Sequence, residues 1–356
     1  MSNILVTGGA GFIGSNFVQY WRKQYPDDEV SILDALTYAG NRHNLTGTEN
    51  VDLIVGDICN TDLVGQILTD RDIDTIVHFA AESHVDRSIT GPEAFIQTNV
   101  VGTHSLLKAA RTVWLSGSGR QHRFHHVSTD EVYGTLGPAD PAFSETTSYA
   151  PNSPYAASKA ASDHIVRAYN HTYGLQVTTS NCSNNYGPFQ FPEKLIPLFI
   201  TNALRGRPLP IYGDGLQIRD WLYVEDHCRG IDRVIKNGRV GECYNIGGGE
   251  ELSNLAVIDT LCRAVDEAFQ NDSSLASRYP QSPAAEGRSM SQLKTFVADR
   301  PGHDRRYAID ETKIRHELGY RPSHTFADWF AKTLGWYLDN EPWWRSIEDG
   351  TYRDLS

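Results

Sequence analysis

Ile4-Leu5-Val6-Thr7-Gly8-Gly9-Ala10-Gly11-Phe12-Ile13-Gly14 is the stretch that decides the fold. A short strand-forming run enters glycines spaced Gly-x-x-Gly-x-x-Gly from Gly8 and Gly-x-Gly-x-x-Gly from Gly9, and a helical run over 15–22 follows. Without a Cβ the backbone turns tightly and approaches a pyrophosphate, while the helix N-terminus offers N–H donors and a positive dipole. A glycine match alone is weak. Here a second acid-bearing strand supports it, because Asp34 closes that strand 20 residues after Gly14, where a carboxylate binds both hydroxyls of a ribose. That carboxylate repels a 2′-phosphate, so NAD is expected over NADP. Asp57 and Ile58, after the third strand, are expected to bracket the adenine.

Outward from this loop, β-rich runs at 30–33, 51–55, 75–79, 124–127 and 175–178 alternate with helical stretches. Such alternation predicts an α/β fold, a Rossmann-type doubly wound parallel sheet with helices on both faces. After Asn181 the prolines 188, 192, 197, 208 and 210 break the pattern. A dinucleotide-binding domain over 1–180 is therefore expected, with 181–356 mainly a smaller lobe and about 220–240 returning to the first. The polar stretch 271–291 reads as a surface insertion.

The 356 residues carry a formal net charge of −12, which argues against nucleic acid or an anionic membrane as main partner. Hydrophobic residues at 40% and charged residues at 21% are ordinary for a soluble enzyme. Five scattered cysteines without Cys-x-x-Cys spacing fit a reducing cytoplasm and neither a disulfide framework nor a zinc site. The first strand begins almost at Met1, so no signal peptide is expected, and the apolar run 195–200 is too short to span a bilayer. His125 and His126 are strand neighbours that point to opposite faces, so they are expected to be structural and no metal site is predicted. Trp343 and Trp344 are expected to pack in the core, with an interface as the alternative.

Ser153-Pro154-Tyr155-Ala156-Ala157-Ser158-Lys159 contains Tyr-x-x-x-Lys behind a good N-cap and a proline suited to the first helical position. At i and i+4, Tyr155 and Lys159 share a helix face, and an ammonium beside a phenol lowers its pKa toward that of a usable base. Ser128-Thr129-Asp130-Glu131 follows the strand 124–127. Residues just past the carboxyl end of a parallel strand line the ligand crevice, so Thr129 can bind a reacting hydroxyl. Two adjacent carboxyls there need not ionise together, and one can hold a proton while the other removes one.

On the loop Thr7–Gly14, Thr129 and the Tyr155/Lys159 pair, the chain resembles the extended short-chain dehydrogenase/reductase family. Within it, Thr129-Asp130-Glu131, residues 181–188, residues 192–197 and residues 299–307 resemble the dTDP-glucose 4,6-dehydratases, over about residues 3–335. The Asp-Glu pair is specific, because epimerases of the same fold lack it at this position. The resemblance implies that Tyr155, helped by Lys159 and Thr129, removes the 4-hydroxyl proton as hydride passes from carbon 4 to NAD. Glu131 then takes the carbon 5 proton, Asp130 protonates the departing 6-hydroxyl, and hydride returns to carbon 6. NAD would thus be tightly bound and recycled within each turnover.

The resemblance further implies a cofactor set of Gly8, Gly11, Phe12, Ile13, Gly14, Asp34, Ala35, Leu36, Thr37, Asp57, Ile58, Ala80, Ala81, Thr98, Tyr155, Lys159 and Asn185. For the substrate it implies Ser83, His84 and Asn184 at the sugar, beside Thr129, Asp130 and Glu131. Lys194, Leu195, Pro210, Tyr212, Arg219, Asn254, Asp299, Arg300 and His303 would take the nucleotide diphosphate, for which an arginine fork offers paired donors. A homodimer through paired helices is the family habit, although from the sequence the stripes at 92–111 and 154–173 read more readily as core. The competing readings are a dehydratase for another nucleotide sugar, a 4-epimerase, which Asp130-Glu131 disfavours, and an NAD-binding sensor, which has no need of Tyr155 and Lys159.

Overall fold

A computed structural model describes residues 2–116, 121–299 and 303–353. Seven parallel strands form the central sheet in the order β3-β2-β1-β4-β5-β6-β10. They are β1 (Asn3–Thr7), β2 (Glu29–Asp34), β3 (Val51–Val55), β4 (Thr75–His78), β5 (Arg123–Thr129), β6 (Val177–Cys182) and, far along the chain, β10 (Cys243–Ile246). The strand order reverses direction between β1 and β4, which opens a crevice at their carboxyl ends.

Helices cover both faces. On one lie α1 (Phe12–Gln24), α8 (Val224–Asn237) and α11 (Thr312–Leu318), joined to the sheet by a core that includes Phe17, Trp21, Ile32, Leu222, Ile231 and Tyr244. On the other lie α2 (Thr61–Asp70), α5 (Thr103–Leu115) and α6 (Pro154–Tyr173), packed through Leu5, Ile76, Leu106, Phe124 and Val166. The segment 224–246 thus packs on the first sheet. Strand β6 starts two residues later than the pattern predicts and runs on to Cys182, because Leu175 turns inward to the core before the ladder begins.

The predicted helix over 92–111 is not one α-helix. Short helices α3 (Val85–Thr90) and α4 (Pro92–Phe95) lead into a π-helical stretch, Ile96–Gly102, before α5. The Asn99 carbonyl accepts the hydroxyls of Thr103 and Ser162, both at 2.6 Å, and its amide bonds Ser158 Oγ and the Glu82 carbonyl. These side chains compete with the regular helix ladder and widen the turn.

A second core gathers α7 (Leu195–Leu204), α9 (Asn254–Asn271), α12 (Phe326–Asp339) and α13 (Glu341–Glu348) around two small sheets. One joins β7 (Asn184–Tyr186), β9 (Ile218–Tyr223) and β11 (Glu251–Ser253); the other pairs β8 (Leu209–Tyr212) with β12 (Lys294–Val297). The stretch 271–291 is not the surface insertion that its polarity suggests. Helix α10 (Ser274–Arg278) and the turns after it sink Leu275, Tyr279 and Met290 into this core, and Asp266 holds the backbone of Met290. Sparse apolar anchors at irregular spacing escape a periodicity reading. Trp344 is fully buried, and Trp343 reaches Asn44 Oδ1 at 2.8 Å.

Candidate active site

A cavity of about 350 Å³ lies at the crevice, where the ends of β1, β2, β4, β5 and β6 converge. Its floor is the glycine turn. A Cβ on Gly14 would lie 2.2 Å from the Gly8 carbonyl oxygen, and Gly8 itself has φ +71° with the Ala80 backbone 2.6 Å from where its Cβ would be. Both positions therefore require glycine. Helix α1 begins within this stretch, with Gly11 at its N-cap, no side-chain cap and no acid in its first turn. Its N–H groups are left for an anion at the cavity.

Asp34 sits at the end of β2, with Oδ2 accepting Ala10 N–H at 2.9 Å and Oδ1 accepting Leu36 N–H at 2.8 Å. Burial raises its pKa and those two backbone bonds oppose the rise. The carboxylate keeps lone pairs for a diol. A glycine cradle that a Cβ would fill, an open helix N-terminus and a buried acid one strand over fit an NAD molecule. Of the expected cofactor residues, Gly8, Gly11, Phe12, Ile13, Gly14, Asp34, Ala35, Thr37, Asp57, Ile58, Ala80, Ala81, Thr98, Tyr155, Lys159 and Asn185 line the cavity. Leu36 does not: its backbone turns away at φ +50° toward a second, smaller cavity.

The reactive groups meet at the other end. Ser153 caps α6 by accepting Ala156 N–H at 3.1 Å, which fixes the helix that presents Tyr155 and Lys159 to the cavity. Thr129, Asp130 and Glu131 arrive from the end of β5 and line the same cavity. The Thr129 hydroxyl hydrogen-bonds the Tyr155 phenol.

The phenol is not lowered by the chain alone, contrary to the expectation from Tyr-x-x-x-Lys. Burial pushes the Tyr155 pKa up, Glu131 and Cys182 push it further, and the Thr129 bond works against them. The Lys159 ammonium is held by the Val127 carbonyl at 2.9 Å and is itself shifted down by burial, with Asp163 opposing. Asp130 is 2% exposed, and burial followed by Glu131 and Asp220 holds its carboxyl well above the usual range. Its Oδ2 makes no hydrogen bond among the described residues. Burial thus favours the protonated form of Asp130, a side chain that lines the cavity and has one oxygen without a hydrogen bond among the described residues.

Ser83, Asn184 and Lys194 line the cavity, with Lys194 Nζ on the Ser83 carbonyl at 3.2 Å. His84 stands one layer out, 3.6 Å from Glu193. Leu195 packs against the small-lobe core. Pro210, Tyr212, Arg219, Asn254, Asp299 and His303 lie outside the cavity, on β8, β9, the start of α9 and the strand-to-turn segment after β12. Most of them are linked to each other. Gln217 bonds Asp299 at 3.0 Å and the Asn254 backbone at 2.9 Å, Asp299 bonds His303 at 2.6 Å, and the Tyr212 and His303 rings meet at 6.4 Å. Arg219 lies 4.2 Å over the Tyr307 ring and close enough to Asp130 for its charge to oppose that carboxyl's rise. Arg300 lies outside the described residues.

Sequence reasoning missed Asp163. It continues the stripe of Tyr155 and Lys159 by one more turn of α6, a spacing visible in the sequence, and accepts from Ser128 and Tyr149, both at 2.9 Å, with His126 at 3.1 Å. It also missed Tyr38, Glu82, Gln190, Phe191 and Glu193, which line the cavity from loops without periodic signal. His125 is fully buried and bonds Thr178 and Ser180. Among the described residues no group of three or more His, Cys, Asp or Glu is placed to hold a metal ion.

The model of the family described as GDP-mannose 4,6 dehydratase matches residues 5–333. A dTDP-glucose 4,6-dehydratase of Xanthomonas campestris pv. campestris (strain B100) is 54% identical, over 99% of this chain and 98% of that protein. The dTDP-glucose 4,6-dehydratase 1 of Escherichia coli (strain K12) is 50% identical, over 98% and 96%. DesIV of Streptomyces venezuelae, a dTDP-glucose 4,6-dehydratase solved with NAD and a second ligand bound, superposes with TM-score 0.85 and 48% identity, over 97% of this chain and 99% of that one. By family model, sequence and fold together, the chain belongs to the GDP-mannose 4,6 dehydratase family, among its dTDP-glucose 4,6-dehydratases.

Proposed function

We propose that this chain is an NAD-dependent hydro-lyase that converts dTDP-glucose to dTDP-4-keto-6-deoxyglucose. The observation that carries the reading is the meeting, in one cavity, of Tyr155 and Lys159 with Asp130, whose carboxyl burial pushes well above the usual range, and its neighbour Glu131. NAD held along Gly8–Gly14 and Asp34 would supply the acceptor for the carbon 4 hydride at the start of the cycle and the donor of that hydride to carbon 6 at its end. Tyr155 takes the proton of the sugar 4-hydroxyl, Thr129 orients that hydroxyl, and Lys159 favours the phenolate. A ketone at carbon 4 acidifies the carbon 5 proton, which Glu131 removes. Asp130 gives its proton to the departing 6-hydroxyl and water leaves; Glu131 then returns its proton to carbon 5.

The group around Tyr212, Arg219, Asn254 and His303 is the proposed nucleotide end, which a diphosphate bridge separates from the sugar. The proposal includes a division of labour, with 1–180 and the returning segment near 220–240 holding the cofactor and 181–356 mainly holding the sugar nucleotide. The packing of α8 and β10 on the first sheet supports it. It also includes a homodimer, supported by exposed Ile89, Ile96, Val101 and Tyr173 on α3 to α6, and a cytoplasmic home, supported by five free cysteines. Among the described residues no helix is long and apolar enough to cross a membrane.

The test is to mix the purified chain with dTDP-glucose and follow product mass and NADH absorbance. Loss of one water without NADH build-up is expected; a product of unchanged mass or stoichiometric NADH overturns the reading. Sedimentation of Ile96→Glu tests the dimer, which is expected to fall to a monomer.

A further inference from the structure

The cofactor cavity is walled on one side by a loop with few bonds of its own. Between Asp34 and the next turn, residues 35–40 form no regular element, and the backbone bends at Leu36. Tyr38 stands in this wall with Phe191, their rings edge to face at 5.7 Å, and both line the cavity.

Behind the wall is Tyr352, on the single helical turn Thr351–Arg353. It is 314 residues from Tyr38 in sequence, yet its hydroxyl donates to the Tyr38 carbonyl at 2.6 Å. Its ring meets Phe191 at 6.2 Å, so one buried side chain braces both members of the wall. From the other side the Arg87 guanidinium lies 3.9 Å over the Tyr38 ring and bonds Glu193 at 3.0 Å. A gap of about 210 Å³ bounded by Leu36, Gly40, Arg42 and Tyr352 lies next to the loop. On that side no packed side chain fills the space beside the loop, and the Tyr352 bond spans it.

We propose that Tyr352 is a positioning residue for the cofactor: it holds the 35–40 loop and Phe191 closed along the dinucleotide and so sets how long the cofactor stays. This rests on the reading of the cavity as an NAD site. A catalyst whose hydride leaves and returns within one turnover works only if the cofactor outlasts the intermediate, so slow release is a functional requirement of this wall. Neither Tyr352 nor its turn lines the reaction centre, and the effect reaches the chemistry only through cofactor residence.

The experiment strips the full chain of any bound NAD, reloads it with radiolabelled NAD, adds excess unlabelled NAD and measures label release. Tyr352→Phe, which keeps the ring and removes one hydrogen bond, is expected to release NAD about fivefold faster. Tyr352→Ala is expected to release it faster still. In both variants the NAD concentration for half-maximal rate rises, while kcat at saturating NAD stays within about twofold of the parent, a split that general damage to the fold does not produce. Equal release from parent and both variants overturns the proposal, as does a fall in kcat at saturating NAD with release unchanged. If the parent holds no labelled NAD at all, the cofactor reading fails first and this inference falls with it.

Discussion

Lys159 anchors its ammonium on the carbonyl oxygen of Val127, 2.9 Å away, so the charge beside Tyr155 is fixed to β5 and not left on a mobile side chain. Burial and Glu131 push the Tyr155 phenol up and the Thr129 hydrogen bond opposes them, while the Lys159 ammonium stands one turn away on the same helix face. Replacing Lys159 with Met is expected to lower kcat by about 10²–10⁴-fold, the usual range for loss of acid–base assistance. The loss should be greater at pH 7 than at pH 9.5, where phenolate forms more readily. Initial rates of ketosugar formation across that range check it, and a pH-independent deficit would refute the assignment.

The Asp130 and Glu131 roles separate by isotope. In Glu131→Gln, oxidation at carbon 4 is expected to survive while exchange of the carbon 5 proton with deuterated solvent stops. In Asp130→Asn, exchange is expected to continue while water loss slows by about 10²-fold or more. Unimpaired exchange in the Glu131 variant would sink Glu131 as the base.

Buried carboxyls also set a pH dependence of stability. Burial raises Asp220 from 3.8 to about 7 and Asp163 from 3.8 to about 6. A folded pKa above the unfolded one means that the folded state binds the extra proton, so the contribution is complete below about pH 4 and lost as pH rises through 6 to 7. Asp220 accepts the backbone N–H groups of Gly248 and Glu250, both at 3.1 Å, so Asp220→Asn should be less stable overall. Its deficit in Tm relative to the parent is expected to shrink between pH 4 and pH 8. A deficit constant with pH would show that this carboxyl does not titrate there.

Gly14→Ala places a Cβ 2.2 Å from the Gly8 carbonyl oxygen. The turn must open to admit it, and NAD binding is expected to weaken by at least about tenfold. Isothermal titration with NAD measures the change; an unchanged affinity would mean that the turn does not carry the pyrophosphate.

The glycine-turn half of the cavity, the proposed cofactor end, is legible in the sequence because its parts are local: a strand, a glycine turn, a helix and an acid at a fixed distance. The Tyr155–Lys159 helix was legible for the same reason, down to its Ser153 cap. What escaped depends on contacts between distant segments. The upward push on Tyr155 comes from burial and from Glu131, which no spacing reveals. Tyr38, Phe191 and Glu193 lie on loops whose place is set by the fold around them. The π-helical stretch at Ile96–Gly102 follows from hydroxyls of two helices meeting at Asn99, a tertiary event hidden inside an ordinary helical pattern.

Strand β10 gives the chain a history as well as a shape. The ladder edge of β6 is completed only by Cys243–Ile246, 61 residues after Cys182. At about 5–20 residues per second, translation leaves that edge and the apolar face later covered by Ile231 and Tyr244 open for roughly 3–12 s. A nascent chain stalled near residue 200 therefore exposes a sticky, unfinished sheet. Chaperone occupancy during synthesis should peak in that window and drop once residues 243–246 have cleared the ribosomal exit tunnel.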